Sequence, residues 1–158
     1  MPTKKKNRSK VSGKRVSAKA SRQPARAKAS SSKSIALRAA SPSFTVNDIE
    51  RSLAFYRDVL GFAVKNRWED GGKLLGVEVA AGDVIFMLSQ DDWKKGRDRV
   101  KGEGFRIYCS TSQNLDRLAE QIKARGGTLL QEPKDDPWGS RNFSFEDPDG
   151  FKITIASE

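Results

Sequence analysis

Apolar residues recur at two spacings in this chain, and the order in which the spacings alternate carries most of its architecture. A short alternating run over Ser43–Val46 leads to Asn47 and Asp48, both helix-capping types, with Glu50 three residues after Asn47 as in a capping box. Ile49, Leu53, Tyr56, Val59 and Leu60 then follow helical spacing, with Arg51, Arg57 and Asp58 on the opposite side and Gly61 as the stop. Three strand patterns come next, about 62–68, 73–79 and 83–89, separated by Asp70-Gly71-Gly72 and Ala80-Ala81-Gly82.

The same order returns. Residues 105–110 read as a strand and 114–125 as a helix with Leu115, Leu118, Ala119 and Ile122 on one side, closed by Gly126-Gly127. Residues 128–132, 142–146 and 151–156 supply three more strands, the last two joined by the turn Asp147-Pro148-Asp149-Gly150. A shift of 66 residues places Ile49 on Leu115, Tyr56 on Ile122 and Gly61 on Gly127. A mixed repeat of this length is no solenoid period. It predicts an α+β domain of paired βαβββ modules, about 41–100 and 103–157, whose sheets curl around concave faces.

Charge changes the picture at the N-terminus. Of the 30 Lys and Arg, 13 fall within residues 1–40, where there is no acidic residue, leaving 17 basic against 20 acidic from Ser41 onward. The net +10 is therefore a +13 tail attached to a −3 domain. The tail's few apolar residues form no periodic face and cannot offset about 1–2 kcal/mol of backbone entropy per residue. Residues 1–40 are accordingly read as disordered. The cluster Lys4, Lys5, Lys6, Arg8, Lys10, Lys14 and Arg15 fits nonspecific, salt-dependent nucleic-acid association, and a solubilising or targeting extension is the alternative. No run approaches the roughly 18 apolar residues of a membrane span, so the expectation is a soluble, cytoplasmic chain with no membrane partner. The single cysteine, Cys109, lies in an apolar strand pattern and reads as a small buried hydrophobe.

Two stretches, Val46–Phe62 with its Asn47-Asp48-Ile49-Glu50-Arg51 start and Leu60-Gly61-Phe62 end, and Phe145–Ile153 with Asp147-Pro148-Asp149-Gly150, resemble the vicinal-oxygen-chelate superfamily. That superfamily contains glyoxalase I, extradiol dioxygenases, fosfomycin-resistance and bleomycin-resistance proteins. The resemblance covers about residues 41–156 and implies paired βαβββ modules, often as a homodimer. It also implies, for the enzymes, a divalent metal held by His and Glu from four inner strands. The corresponding places are Ser41, Phe86 or Met87, Ile107 or Phe105, and Thr154, all poor ligands in a chain without histidine.

The expectation is thus a domain without metal or other cofactor, binding a small, partly aromatic ligand without catalysis. The alternatives are a metal-dependent lyase or dioxygenase, or a nucleic-acid-associated protein acting through its tail. The bleomycin-resistance branch, by resemblance, holds a planar cationic drug in a groove of aromatics and acids. Candidate contacts are Phe86, Tyr108 and Phe143, for each of which core packing is the commoner reading; Trp68, as a further aromatic suited to such a groove; Trp93 and Trp138, as pocket rim, lid or dimer contact; and Arg141, for a ligand anion. Glu78 lies opposite its neighbours Val77 and Val79 and would meet a ligand cation if its side of the strand is the cupped one.

Overall fold

The computed structural model describes Ile35 and residues 37–158. The expectations placed on the basic tail, its disorder and the cluster from Lys4 to Arg15, lie outside the described residues.

Each helix starts on a side-chain cap. The Asp48 carboxylate accepts the Arg51 backbone N–H at 3.0 Å, and the Asn114 amide oxygen accepts that of Arg117 at 2.9 Å. The first helix, α1 (Ile49–Ala54), widens into a π-helical turn over Phe55–Val59, and Gly61 ends it at φ 77°. The second, α2, spans Leu115–Ala124. Around them lie strands β1 (Ser43–Val46), β2 (Ala63–Asp70), β3 (Lys73–Ala81) and β4 (Val84–Gln90), then β5 (Arg106–Thr111), β6 (Leu129–Asp135), β7 (Arg141–Glu146) and β8 (Lys152–Ser157). They form two four-stranded sheets of the same plan: sheet A in the order β1-β4-β3-β2 and sheet B in the order β5-β8-β7-β6. In each, the first strand runs parallel to the last and the other pairings are antiparallel. The repeated βαβββ unit is therefore present twice. β6 continues through Pro133, which its position at the sheet edge permits, because the missing N–H has no partner strand to serve on that side.

The helix-facing sides of both sheets meet in a common core. Phe44, Val77, Val79, Phe86 and Leu88 from sheet A join Phe143, Phe145 and Ile153 from sheet B, with Leu53, Tyr56, Leu115 and Ile122 from the helices. Phe55, following α1, lies 6.3 Å from Phe145 on β7, and Phe44 stacks on Phe151 at 4.3 Å. The helical layer thus sits between the sheets, whose other faces look outward.

The turn between β7 and β8 clasps one module to the other. Asp149 accepts the Asn47 backbone N–H at 3.0 Å and the Ser52 hydroxyl at 3.2 Å, so Asn47 is engaged there while Asp48 caps the helix. The Tyr56 hydroxyl donates to Asp147 at 3.1 Å, and the Asp149 and Phe151 N–H groups donate to the other Asp147 oxygen. Burial raises the Asp147 carboxyl above its usual range despite these donors, and burial, with the Asp147 charge adding, pushes the Tyr56 hydroxyl far up.

The linker between modules is also pinned. Arg99 and Lys101 converge on Asp91 at 2.6 and 2.7 Å, and the Lys101 ammonium first, then the Trp93 backbone N–H, pull its pKa to about 2. Gly102 passes so close to Gly150 that a Cβ would collide with its carbonyl. Among the described residues, no helix is long and apolar enough to cross a membrane.

Removing the clasp exposes its contribution. Asp149→Ala leaves the Asn47 N–H and Ser52 hydroxyl without their acceptor and is expected to cost about 1–3 kcal/mol. Chemical denaturation measures this, and an unchanged midpoint would show that the clasp is idle.

Candidate functional site

The outward face of sheet A is fixed by strand register. One row crosses it as Ser43, Met87, Glu78 and Asn66, and a second as Thr45, Ser89, Gly76 and Trp68. Asn66 donates its side-chain amide to Glu78, a cross-strand pair. A Cβ on Gly76 would lie 3.1 Å from Trp68 Cε3, so the indole rests on the backbone at Gly76 and is still 47% exposed. The result is an aromatic platform beside an oriented carboxylate.

Sheet B presents the equivalent rows, Tyr108, Thr154, Ser144 and Gln131, then Ser110, Ala156, Asn142 and Lys134. Tyr108 is 59% exposed. Thr154, at 4%, keeps a buried hydroxyl that finds no hydrogen-bond partner among the described residues. The Asn142 amide is occupied, donating to Asp136 and accepting from Gln131 at 2.8 Å.

The expected contacts fall on different surfaces. Glu78 and Tyr108 lie on the outward faces. Phe86 and Phe143 do not: both are fully buried on the helix-facing sides, Phe86 with its ring 6.0 Å from Tyr56 and 5.4 Å from Phe62. They are core residues, because strand alternation sends them into the apolar layer. Arg141 is committed to Asp116 at 2.8 Å and Asp135 at 3.0 Å, and the hydrogen bonds it donates to these two, Asp116 first, raise its pKa further. It ties α2 to β6 and is not free for a ligand anion. Trp93 sits in the linker at φ 62°, with the Arg97 guanidinium 4.7 Å and the Lys101 ammonium 5.4 Å from its ring. Trp138 is 77% exposed at the tip of the β6–β7 turn.

The strand-centre positions also resolve. On sheet A, Met87 faces outward and Phe86 inward; Ser41 precedes β1, whose outward residue in that row is Ser43. On sheet B, Ile107 packs on the core and Phe105 precedes β5, so Tyr108 occupies the outward place beside Thr154. Sequence reasoning had no role for Asn66, and it counted Trp68 among the aromatics suited to a ligand groove without assigning it to a face. Gly76 within a β-rich run, a sign of close approach by another group, was the available signal.

Residues 38–155 match the model of the Glyoxalase/Bleomycin resistance protein/Dioxygenase superfamily. The chain belongs to this superfamily. Relatives include a probable lactoylglutathione lyase of Synechocystis, 29% identical over 70% of this chain and 87% of that protein. The glutathione transferase FosA of Serratia marcescens is 25% identical over 70% of this chain and 73% of its own. A lactoylglutathione lyase of Arabidopsis thaliana is 25% identical over 71% of this chain, which spans only 41% of that longer protein. Among solved structures, a superfamily member from Sphaerobacter thermophilus aligns with TM-score 0.59 at 28% identity, over 77% of this chain and 98% of that one. TioX from Micromonospora aligns with TM-score 0.61 at 19% identity, over 75% and 98%, a likeness of fold alone.

The metal that the superfamily's enzymes imply is not matched by the donors here. Ser43, Met87, Tyr108 and Thr154 offer alcohols, a thioether and a phenol at the strand centres. Glu78 is the one carboxylate in the paired rows, where a catalytic site needs about three strong ligands. No three His, Cys, Asp or Glu side chains converge among the described residues, and the whole sequence has no histidine. Elemental analysis of untagged protein is accordingly expected to find Ni, Zn, Mn and Fe all well below one per chain. One equivalent surviving dialysis would reverse this reading.

Proposed function

We propose that this superfamily member is a metal-free binding protein for a small, partly aromatic molecule, and that its outward sheet faces are the binding surface. The observation that carries the reading is the exposure of Trp68 and Tyr108 on faces lacking a metal-ligand set. Aromatic surface that a folded domain leaves open beside hydrogen-bonding groups is the composition of a ligand wall.

The same geometry favours a homodimer. The two outward faces of one chain point away from each other across the shared core, so neither encloses a ligand alone. Among the described residues β1 pairs only with β4 and β5 only with β8, which leaves an open edge on each sheet beside its outward face. A second copy meeting these edges covers both liabilities and sets the face of one chain opposite that of another.

The test is a screen of flat ring compounds read by intrinsic tryptophan fluorescence, with sedimentation run in parallel. Saturable hits on a two-chain species are expected, unaffected by EDTA and weakened about tenfold by Trp68→Ala, in keeping with the worth of one stacking contact. Hits that vanish with chelator and return with Zn or Mn would instead support the lyase or dioxygenase reading.

A second reading rests on the charge distribution, with 13 basic and no acidic residues in the first 40. The tail then holds the domain near a polyanion such as nucleic acid without reading its sequence. Binding of the full chain to duplex DNA is expected to fall by about 10³-fold or more between 50 and 200 mM salt, as for six or more phosphate contacts. Replacing Lys4, Lys5, Lys6, Arg8, Lys10, Lys14 and Arg15 with Gln should flatten that dependence, and an unchanged slope would remove the tail from the account.

A further inference from the structure

The geometry points to a second binding site, in the cleft between the two modules, that takes an aliphatic carboxylate with its chain on the half-covered core and its head at Arg125. It is separate from the outward faces and stands whether or not those bind. Among the described residues, the hydrogen bonds that join the modules run from Asn47 and Ser52 to Asp149 and from Tyr56 to Asp147, all at the clasp. The opposite end, where β4 begins and β5 and β8 finish, has no such bond. A cavity of about 670 Å³ opens there, within the roughly 300–1,000 Å³ of small-molecule sites.

The lining decides what fits. Leu60, Phe62, Cys109, Leu118 and Ile155 are apolar residues that the core leaves half-buried, and all five border this one space. An unfilled apolar void forfeits contacts that the hydrocarbon of a ligand restores. Phe86, Phe143 and Phe145 also line it, but they are fully buried and offer no open π face on which a ring could stack. A flexible chain needs no flat partner and suits such a wall.

The mouth supplies the contact for the head group. Arg125 follows α2, and its guanidinium lies against Gly61, where a Cβ would come within 2.7 Å of Nη1. Lys123 and Arg141 are paired with Glu132 and Asp116, whereas the Arg125 guanidinium has no carboxylate or other acceptor among the described residues. Its planar fork matches the two oxygens of a carboxylate. Asp83 and Glu158 border the same cavity, from the β3–β4 turn and from beyond β8. They repel an anion, so a carboxylate is directed to the α2 side.

Cys109 is the one cysteine of the sequence and lines the cavity, so its alkylation by N-ethylmaleimide, followed by mass on the full chain, reports occupancy. Octanoate, decanoate and dodecanoate should slow the reaction saturably, with affinity rising about three- to fourfold per added methylene. Decanoate should bind at least about threefold more tightly than decanol or decylamine, the worth of a solvent-exposed ion pair. Arg125→Gln should erase that margin and leave the dependence on chain length. Tryptophan emission should not change, because Trp68, Trp93 and Trp138 lie outside the cavity lining. Decanol or decylamine binding as tightly as decanoate, or a margin that survives Arg125→Gln, overturns the head-group assignment. An emission change with the same midpoint moves the ligand to an outward face and overturns the site. If none of these chains protects Cys109, the proposal falls while the reading of the outward faces is untouched.

Discussion

The apolar layer shared by the two sheets is the constraint on which everything else depends. Each βαβββ module has one helix and a four-stranded sheet, too little to bury its own apolar face well. Placing the helices between the sheets lets Phe44, Phe86, Phe143 and Phe145 close on one another and on Tyr56 and Phe55. With the helix-facing sides used in this way, the outward sides keep Trp68 and Tyr108 exposed, while Phe86, Phe143 and Phe145 also line a cavity of about 670 Å³ with Cys109, Leu118 and Gln121.

Polar groups hold that layer in register. Asp147 and Asp149, two residues apart in a single turn, reach Tyr56 and the start of α1 in the other module. Asp91 gathers Arg99 and Lys101 in the linker. These contacts are directional where apolar packing is not, and those of Asp149 link segments about 100 residues apart in the chain. The orientation of the two outward faces follows from them.

The order of elements was legible because it depends on local periodicity and turn chemistry, which the sequence repeats. The site was legible only in part. Glu78 came from simple alternation along β3, but its neighbours did not, because the β2–β3 hairpin departs from simple counting. Asp70 pairs with Lys73 and Glu69 with Leu74, and a bulge then sets Trp68 opposite Gly76 and Asn66 opposite Glu78. Counting straight back from the turn would have placed Trp68 against Leu75 and Asn66 against Val77. One extra residue thus decides which side chains share a face. Phe86 and Phe143 were misplaced for a related reason, since a strand with one face on the core and one outward gives no sign, from composition alone, of which large residue goes where. Arg141 could not be assigned because its partners, Asp116 and Asp135, come from separate elements.

The contact between the indole of Trp68 and the bare backbone of Gly76 has an evolutionary corollary. A methyl at position 76 would press on the ring from 3.1 Å and move it slightly, a larger side chain would displace it further, and a small residue at position 68 would relieve that constraint. The two positions are physically coupled, so substitutions at them are expected to come together. A chain carrying a bulky aliphatic at position 76 and a short polar residue at position 68 would keep the sheet and lose the aromatic platform.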